Sequence, residues 1–458
     1  MSTKTSEEII SSPNHPLSPA MISDNAKTVT STLKRAGFEA YVVGGSIRDG
    51  FLGKQPKDFD VTTNATPEEV KALFSRNARI IGKRFRIVHV TFGYQSQKQE
   101  IIEVATFRSA ADKNEDSPQE EKQTAVDNRI ISGTQLKNTH GMLIRDNVYG
   151  NLQDDALRRD FTINALYYDV EKNEIHDFHH GIQDLNAGLV DIIGEPQIRY
   201  QEDPVRILRA LRFAAKLNMK ITPRTADPIY KMGHLLRDVS NARMYDEMIK
   251  MLLMGYAQTT FNLMMQFNLI RYIFPTLDSI LNSSKGRKYH KFISLVFDGT
   301  DSRIRDNHKP NPRFLFACLL WPVLETALLR KFPDPAREPW ANIKKVLHRY
   351  GHEVLVQQHK LTAPPSFILE DIKKMWELQM LMYRCDAPTA GILADSSYFK
   401  ASLDFLEYRA SSDSRLQPLF RWWMELANRN PQLLQPKPRH SEGNIRPKRG
   451  KKFGGRGN

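Results

Sequence analysis

Apolar residues along the first part of the chain recur with two different periods, and each change of period marks an element. Over residues 22–37 they fall at Ala26, Val29 and Leu33, one face of a helix that Ser23 can cap and Gly37 stops. Tyr41-Val42-Val43 reads as a β run cut off by Gly44-Gly45, and Asp58-Phe59-Asp60-Val61 alternates with the two-residue period of a strand. Thr66-Pro67-Glu68-Glu69 opens a second helix reaching about Phe74, with proline at its first position. Residues 80–92 predict a strand, a turn and a second strand; residues 101–106 predict another, in which Glu103 is the single charge. The apolar pattern then stops, and residues 109–142 have the composition of a mobile loop or a disordered insertion. Residues 175–193 predict a hairpin with His179, His180 and Gly181 at its bend. From Thr225 to about Asn428 the pattern is helical, and residues 1–21 are polar and read as disordered.

Candidate chemistry gathers within twenty residues. A turn at Gly44 and Gly45, lacking Cβ atoms, lets the backbone approach a ligand closely. Asp58 and Asp60 share one face of their strand, with Phe59 and Val61 on the other. Two ionised carboxylates side by side repel, and a divalent cation relieves that repulsion; hard oxygen donors suit Mg²⁺ or Mn²⁺. Each feature alone is more often a plain turn or a solvated strand end. Together they ask for a third carboxylate, and Glu103 supplies it, since a buried strand rarely carries an unpaired charge; an edge-strand glutamate facing water is the other reading.

Further along, Arg48 and Asp49 read either as a short helix whose first amides face a triphosphate or as a salt-bridged turn. Arg159 and Asn164 each donate more than one hydrogen bond, so they are candidates for ribose and phosphate; a surface ion-pair cluster is the alternative. In residues 202–213, EDPVRILRALRF, Pro204 starts a helix and Asp203 can cap it. Arg206 and Arg209 then share a face while Leu208, Leu211 and Ala215 turn to the core. An acid three residues before an arginine can address the Watson–Crick edge of a base, or can be capping plus an ion pair. His179, His180, His348 and His352 lack the further ligands that a zinc site needs.

Length and charge narrow the class. A chain of 458 residues accommodates several domains, and two cysteines, Cys318 and Cys385, exclude a disulfide scaffold and fit a reducing compartment. The most apolar stretch, 314–324, is interrupted by Pro322 and too short to span a bilayer, so a soluble protein is expected. The net charge of +14 suggests a polyanionic partner. Eight basic residues against Glu442 lie in residues 437–458, which predicts a flexible arm gripping nucleic acid or a solubilising tail.

Taken in order, Gly44-Gly45, Asp58-x-Asp60, Glu103, Arg158-Arg159-Asp160-Phe161 and Glu202-Asp203-x-x-Arg206 resemble the class II tRNA nucleotidyltransferase and bacterial poly(A) polymerase family of the polymerase β-like superfamily, over residues 22–425. Its two branches share these motifs. IGKRFRIVHV at 81–90 is similar to the poly(A) polymerase branch, as are PKDFDVTTNATPEEV at 56–70 and QEDPVRILRALRFAAKL at 201–217, whereas CCA-adding enzymes usually show Gly-x-x-His-Gly in the first of these places. The polar insertion and the Gly-Lys-Arg tail depart from the pattern.

The resemblance implies an α+β chain, with a small mixed-sheet nucleotidyltransferase head followed by an all-helical neck, body and tail. The expected boundaries are 22–168 for the head, 169–236 for a base-recognising neck, 237–430 for an RNA-binding body and tail, and 431–458 for a disordered basic tail. It implies that Asp58, Asp60 and Glu103 hold two Mg²⁺ ions, with Mn²⁺ as a substitute, and assist in-line attack of an RNA 3′-hydroxyl on ATP. Gly44, Gly45 and Arg48 would take the triphosphate, Arg159 and Asn164 the ribose region, and Asp203 with Arg206 and Arg209 the base. Adenine and cytosine both present an exocyclic amine and a ring acceptor, so selecting ATP alone needs a more rigid pocket, and Lys83, Arg84 and Arg86 are the candidates for that restraint. The implied activity is template-independent polyadenylation of RNA 3′ ends serving RNA decay. CCA addition to tRNA and a non-catalytic RNA-binding adaptor are the alternatives. A monomer in the bacterial cytoplasm follows, with contact to decay machinery and peripheral attachment to the inner membrane left open.

Overall fold

A computed structural model of the chain describes residues 7–82, 86–93, 99–109, 136–137, 143–145 and 149–435. They form two compact units. One runs through Pro275 and adds Asp301–Pro310 and His359–Ala363; the other holds Thr276–Thr300, Asn311–Gln358 and the chain from Pro364 on.

The first unit is built on a mixed sheet. Its strands are β1 (Glu8–Ser11), β2 (Ala40–Val43), β3 (Asp60–Thr63), β4 (Ala78–Ile81), β5 (Ile87–Phe92) and β6 (Glu100–Thr106). A separate small hairpin joins β7 (Leu136–Lys137) to β8 (Leu143–Arg145), and β9 (Leu166–Asp169) and β10 (Glu174–Asp177) return to the sheet. The order is β1-β10-β9-β2-β3-β6-β5-β4, antiparallel throughout except that β3 and β6 run parallel. Helix α1 (Asp24–Arg35) begins where Ser23 Oγ accepts from the Ala26 amide at 3.2 Å, and Ala26, Val29 and Leu33 are buried. It packs on β2, β3 and β6, while α3 (Pro67–Phe74), started by the Thr66–Glu69 capping box, covers β4 and β5. One face of the sheet is thereby closed. On β6, Ile102 and Val104 point into it, and Ile101 and Glu103 stand on the other.

Beyond the glycine turn lie α2 (Gly45–Phe51), α4 (Leu152–Arg158), α5 (Gly181–Ala187), α6 (Pro196–Glu202) and α7 (Val205–Leu217). The α+β reading holds, with several local corrections. Residues 8–11 are a strand pairing with β10 and Pro19–Met21 a 3₁₀ turn, where sequence predicted disorder; a polar segment can be ordered when a sheet edge supplies partners for its backbone. Residues 175–193 are not one hairpin. β10 pairs back onto β9 through a turn with Asn173 at φ 55°, so the sheet extends past Tyr168, and His180 in a left-handed conformation then starts α5. Leu189–Val190 instead pairs with Lys220–Ile221. Residues 431–434 form a 3₁₀ turn whose Leu433 and Leu434 pack on the C-terminal apolar cluster. Most of the 109–142 insertion and all of 436–458 lie outside the described residues.

The second unit is helical. Pro312–Lys331 runs unbroken through Pro322, contrary to the sequence expectation, because Leu315 to Pro322, Leu324 and Leu328 are buried and their packing outweighs a local proline penalty of about 3 kcal/mol. The helix is long and apolar enough to cross a membrane, but 61% of its apolar window is buried inside the protein. At its centre Arg409, itself buried, donates to Glu325 at 2.7 and 3.2 Å, to Gln379 at 2.9 Å and to Tyr383 at 2.8 Å, and lies 4.8 Å over the Trp321 ring. Lys288 and Tyr289 donate to the second Glu325 oxygen at 3.0 and 2.8 Å.

Burial by itself would raise the Glu325 carboxyl, but Arg409 and Lys288 outweigh it and hold it at about 2, below its ordinary 4.5. A depressed folded-state value means that this pair stabilises the fold above about pH 4.5 and loses that contribution as pH falls toward 2. Glu325→Ala is expected to cost about 3–5 kcal/mol by leaving Arg409 buried and uncompensated. Thermal unfolding from pH 7 to pH 3 checks the linkage: the gap between wild type and Glu325→Gln narrows below about pH 4.5, and a constant gap would refute it.

Candidate active site

The floor of the candidate site is set by strand register. Asp60 pairs with Glu103 across the parallel β3–β6 ladder and Val43 pairs with Asp60 across β2–β3, so the end of β2 delivers the glycine turn beside the carboxylates. Phe59 and Val61 are buried, whereas Asp60 at the start of β3 and Asp58 just ahead of it line a shared cleft. Glu103 is half-exposed. The sequence argument for a charge inside a buried strand is therefore corrected: the strand is buried on one face only, and Glu103 stands on the open one. The three carboxylates line one cleft of about 890 Å³, together with Gln55, Lys57, His89, Gln99, Glu100 and Ile101 and the Ala20–Ser23 segment.

Burial pushes the Asp60 carboxyl up to about 6, with Glu103 and Asp58 adding repulsion and Arg159 opposing it. That is the electrostatic state a divalent cation would relieve, and carboxylate oxygens are the donors Mg²⁺ and Mn²⁺ prefer. Among the described residues no three ligating groups converge into a closed cage. The arrangement suits an ion that takes part of its coordination from a bound phosphate.

Gly44 adopts φ 78°, ψ −131°, a conformation that residues with a Cβ rarely reach, and caps α2. A Cβ there would lie 3.7 Å from Arg159 Nη1 and 4.0 Å from Asp60 Oδ2, so turn, arginine and carboxylate meet at one point. Arg159 is aimed by Asp155, which accepts from it at 3.0 and 3.2 Å, and by the Tyr167 hydroxyl at 2.8 Å, with the Tyr167 ring beneath its guanidinium. Its free edge faces the glycine turn.

Arg48 is placed differently from the sequence expectation of an open triphosphate ligand. It is buried, donates to Asp49 at 2.6 and 2.8 Å and to Asn164 Oδ1 at 2.5 Å, and lies 5.1 Å from the Phe213 ring centre. Asn164 donates in turn to Asp160 at 3.0 Å, and Asp160 accepts from Arg209 at 2.5 and 2.6 Å. Although burial would raise it, the Asp160 carboxyl is held at about 2 by Arg209 and Asn164. The chain Arg48–Asn164–Asp160–Arg209 thus fixes the turn to α7, and Lys216 adds a bond to Asp49 at 3.1 Å.

On the neck side Asp203 accepts from Arg243 at 2.8 Å, and Arg206 donates to Glu202 at 3.1 Å and to the Arg199 carbonyl at 2.8 Å. The two lie at the start of α7, where the Arg206 amide donates to the Asp203 carbonyl at 3.0 Å. Pro204 is at the N-cap, and the Asp203 carboxylate accepts from the Val205 amide at 3.4 Å. Arg86 pairs with Glu68 on α3; Lys83 and Arg84 lie outside the described residues. Sequence reasoning missed Asp155, Tyr167, Arg199 and Arg243. Arg199 donates to the Arg158 and Arg159 carbonyls at 2.7 Å, but nothing in its local sequence distinguishes it from a surface arginine.

Three family descriptions match the chain: Poly A polymerase head domain over residues 40–191, Probable RNA and SrmB-binding site of polymerase A over 218–281, and Polymerase A arginine-rich C-terminus over 342–455. Poly(A) polymerase I of Escherichia coli O6:H1 is 41% identical over 91% of the chain and 85% of its own length, and that of Haemophilus influenzae 37% over 98% and 94%. A CCA-adding enzyme of Lactobacillus helveticus is 34% identical over 53% of each chain. Among solved structures, a tRNA-processing enzyme shares the fold at a TM-score of 0.54 with 20% identity, covering 89% of this chain and 92% of its own.

Because φ 78° at Gly44 penalises any side chain, Gly44→Ala is expected to cost about 1–3 kcal/mol of local strain. The predicted readout is a nucleotide KM raised about tenfold or more, with the far-UV circular dichroism spectrum unchanged; an unaltered KM would show that the turn does not touch the nucleotide.

Proposed function

The chain belongs to the poly(A) polymerase family of nucleotidyltransferases, and on that premise we propose that it transfers AMP from ATP to RNA 3′ ends without a template, releasing pyrophosphate. The observation that carries this reading is the cleft where Asp58, Asp60 and Glu103 meet the Gly44 turn and Arg159. Support for poly(A) rather than CCA addition comes from the relatives named poly(A) polymerase I, which align over 85–94% of their length against 53% for the CCA-adding enzyme.

In this reading the Gly44 and Gly45 backbone admits the triphosphate, and Arg159, oriented by Asp155 and Tyr167, meets its charge. Asp58, Asp60 and Glu103 would hold two Mg²⁺ ions, which when bound would lower the pKa of the RNA 3′-hydroxyl and neutralise the departing pyrophosphate. The 3′-oxygen forms a bond to the α-phosphorus as the bond to the bridging oxygen breaks on the opposite side. Asn164 and Arg48 keep the turn in register with the ribose. Asp203 accepts from the adenine exocyclic amine while Arg206 donates to the ring nitrogen beside it; Arg243 bonds the first, and Glu202 and the Arg199 carbonyl the second, at the start of α7. Cytosine offers the same pattern, so selection of ATP requires a restrained pocket. We assign that restraint to Lys83, Arg84 and Arg86, of which Arg86 pairs with Glu68 on α3. The helical body and the basic tail hold RNA, and a single-stranded tail gives exonucleases a place to load, which links the reaction to RNA decay in the cytoplasm.

A labelled RNA incubated with Mg²⁺ and ATP alone is expected to grow into a long ladder, and Asp60→Asn to slow that growth by about 10²- to 10³-fold or more. No extension, or addition restricted to completing a tRNA end from CTP and ATP, would overturn the assignment. A proton on Asp60 competes with the cation, so the Mg²⁺ concentration for half-maximal rate is expected to fall as pH rises to about 6, by at most about tenfold per unit, and then to level off. Arg86→Ala is expected to raise incorporation of CTP relative to ATP in single-turnover assays.

A further inference from the structure

Charge on the open face of the head sheet continues beyond the three carboxylates. Register places Asp60 beside Glu103, Glu103 beside His89, and His89 beside Arg79. Residues directly opposite in a ladder project from the same face, so these four side chains form one row across β3, β6, β5 and β4. With neighbouring strands about 4.8 Å apart, the row spans about 14 Å. It passes from acid, through an imidazole whose Nε2 lies 3.4 Å from Glu103 Oε1, to a guanidinium on the edge strand. In the adjacent row Ile101 stands beside Thr91, 45% exposed on the same face as Glu103.

A second cleft, about 390 Å³, opens at the far end of this row, lined by Arg76, Asn77, Ala78, Arg79, Thr91, Gly93 and Gln99. Gln99 also lines the catalytic cleft, so the two are neighbours along one surface. Arg76 and Arg79 are both exposed. The Gly44 turn and Arg159 lie on the opposite side of the carboxylates, beyond the end of β2. An in-line displacement puts the entering oxygen and the leaving group at opposite ends of the α-phosphorus. If the triphosphate occupies the glycine side, the RNA must approach from the β6–β5–β4 side.

We propose that the open face of β6, β5 and β4 is the track of the acceptor RNA, with Arg76 and Arg79 binding phosphodiester groups a few nucleotides before the 3′ end. The inference rests on the RNA-extending function proposed above and adds where the substrate strand runs. Guanidinium groups suit phosphate because they donate two parallel hydrogen bonds, and the exposed Ile101 offers an apolar surface under a base between the two clefts. His89 stands where the strand passes from the carboxylates to the arginines. An arginine on an edge strand also discourages pairing with another chain, but that role needs only charge and would not respond to the phosphates of an RNA.

The test is a cycle between protein charge and RNA charge. Binding of full-length wild type and of the Arg76→Ala, Arg79→Ala double variant to a fluorescent oligoadenylate is measured by anisotropy without nucleotide. One RNA is unmodified and the other carries neutral methylphosphonate linkages in its last few positions. Wild type is expected to lose about tenfold in affinity for the neutral RNA; the variant is expected to lose a similar factor for the unmodified RNA and little more for the neutral one. The salt dependence of the variant falls by about one unit of slope per lost phosphate contact. In extension assays the variant shows a raised KM for primers longer than a dinucleotide, with the KM for ATP unchanged. Independent, multiplicative losses from the two changes, or no loss in the variant, would overturn the track and leave Arg79 as an edge guard. Failure of wild type to extend RNA with ATP is a separate result that overturns the proposed function, because the binding cycle is read without catalysis.

Discussion

Three carboxylates on one face of a sheet repel one another, and much of the head is the framework that keeps them there. The parallel β3–β6 pairing holds Asp60 against Glu103, and Asp58, just ahead of β3, lines the same cleft. Apolar packing of α1 and α3 on the closed face anchors those strands. Asp60 shows the result: burial raises its carboxyl to about 6, and repulsion from Glu103 and Asp58 adds to that rise. Stored repulsion of this kind is tolerable because it is local, while the burial that opposes it extends over the whole closed face.

Around the carboxylates the chain uses arginine as a fixed part rather than as loose charge. Arg48, Arg209 and Arg212 all lie within about 5 Å of the Phe213 ring centre, and their partners Asp49, Asp160 and Glu247 come from three separate elements. Arg199 grips the backbone that carries Arg159. A planar donor set with five N–H groups can join several elements at once, which an ammonium cannot do with the same geometry. The glycine turn and Arg159 are therefore braced from α2, α4 and α7 together. The same device holds the helical unit, where Arg409 links Glu325, Gln379 and Tyr383 inside an otherwise apolar interior.

Much of this was legible because it is local. Helix α1 with its cap, the proline-started α3, the Gly44 turn and the alternation of Asp58 and Asp60 each follow from a few neighbouring residues. The errors came where long-range pairing decided. Glu8–Ser11 is a strand only because β10 offers an edge, and His180 starts a helix because β10 had already turned back onto β9. Pro322 sits inside a helix because most of its neighbours, Leu315 to Trp321 and Leu324 among them, are buried.

Sequence by itself determined the chemistry available: three carboxylates, a glycine turn that needs a left-handed residue, and arginines suited to phosphate. Tertiary structure decided which of them act together. Whether Glu103 is buried or open depends on which face of β6 the helices α1 and α3 cover, and whether Arg48 meets a ligand or braces a turn depends on Asn164, more than a hundred residues away. Strand register and side-chain partners are set by the packing of distant segments, and no short window of sequence contains them.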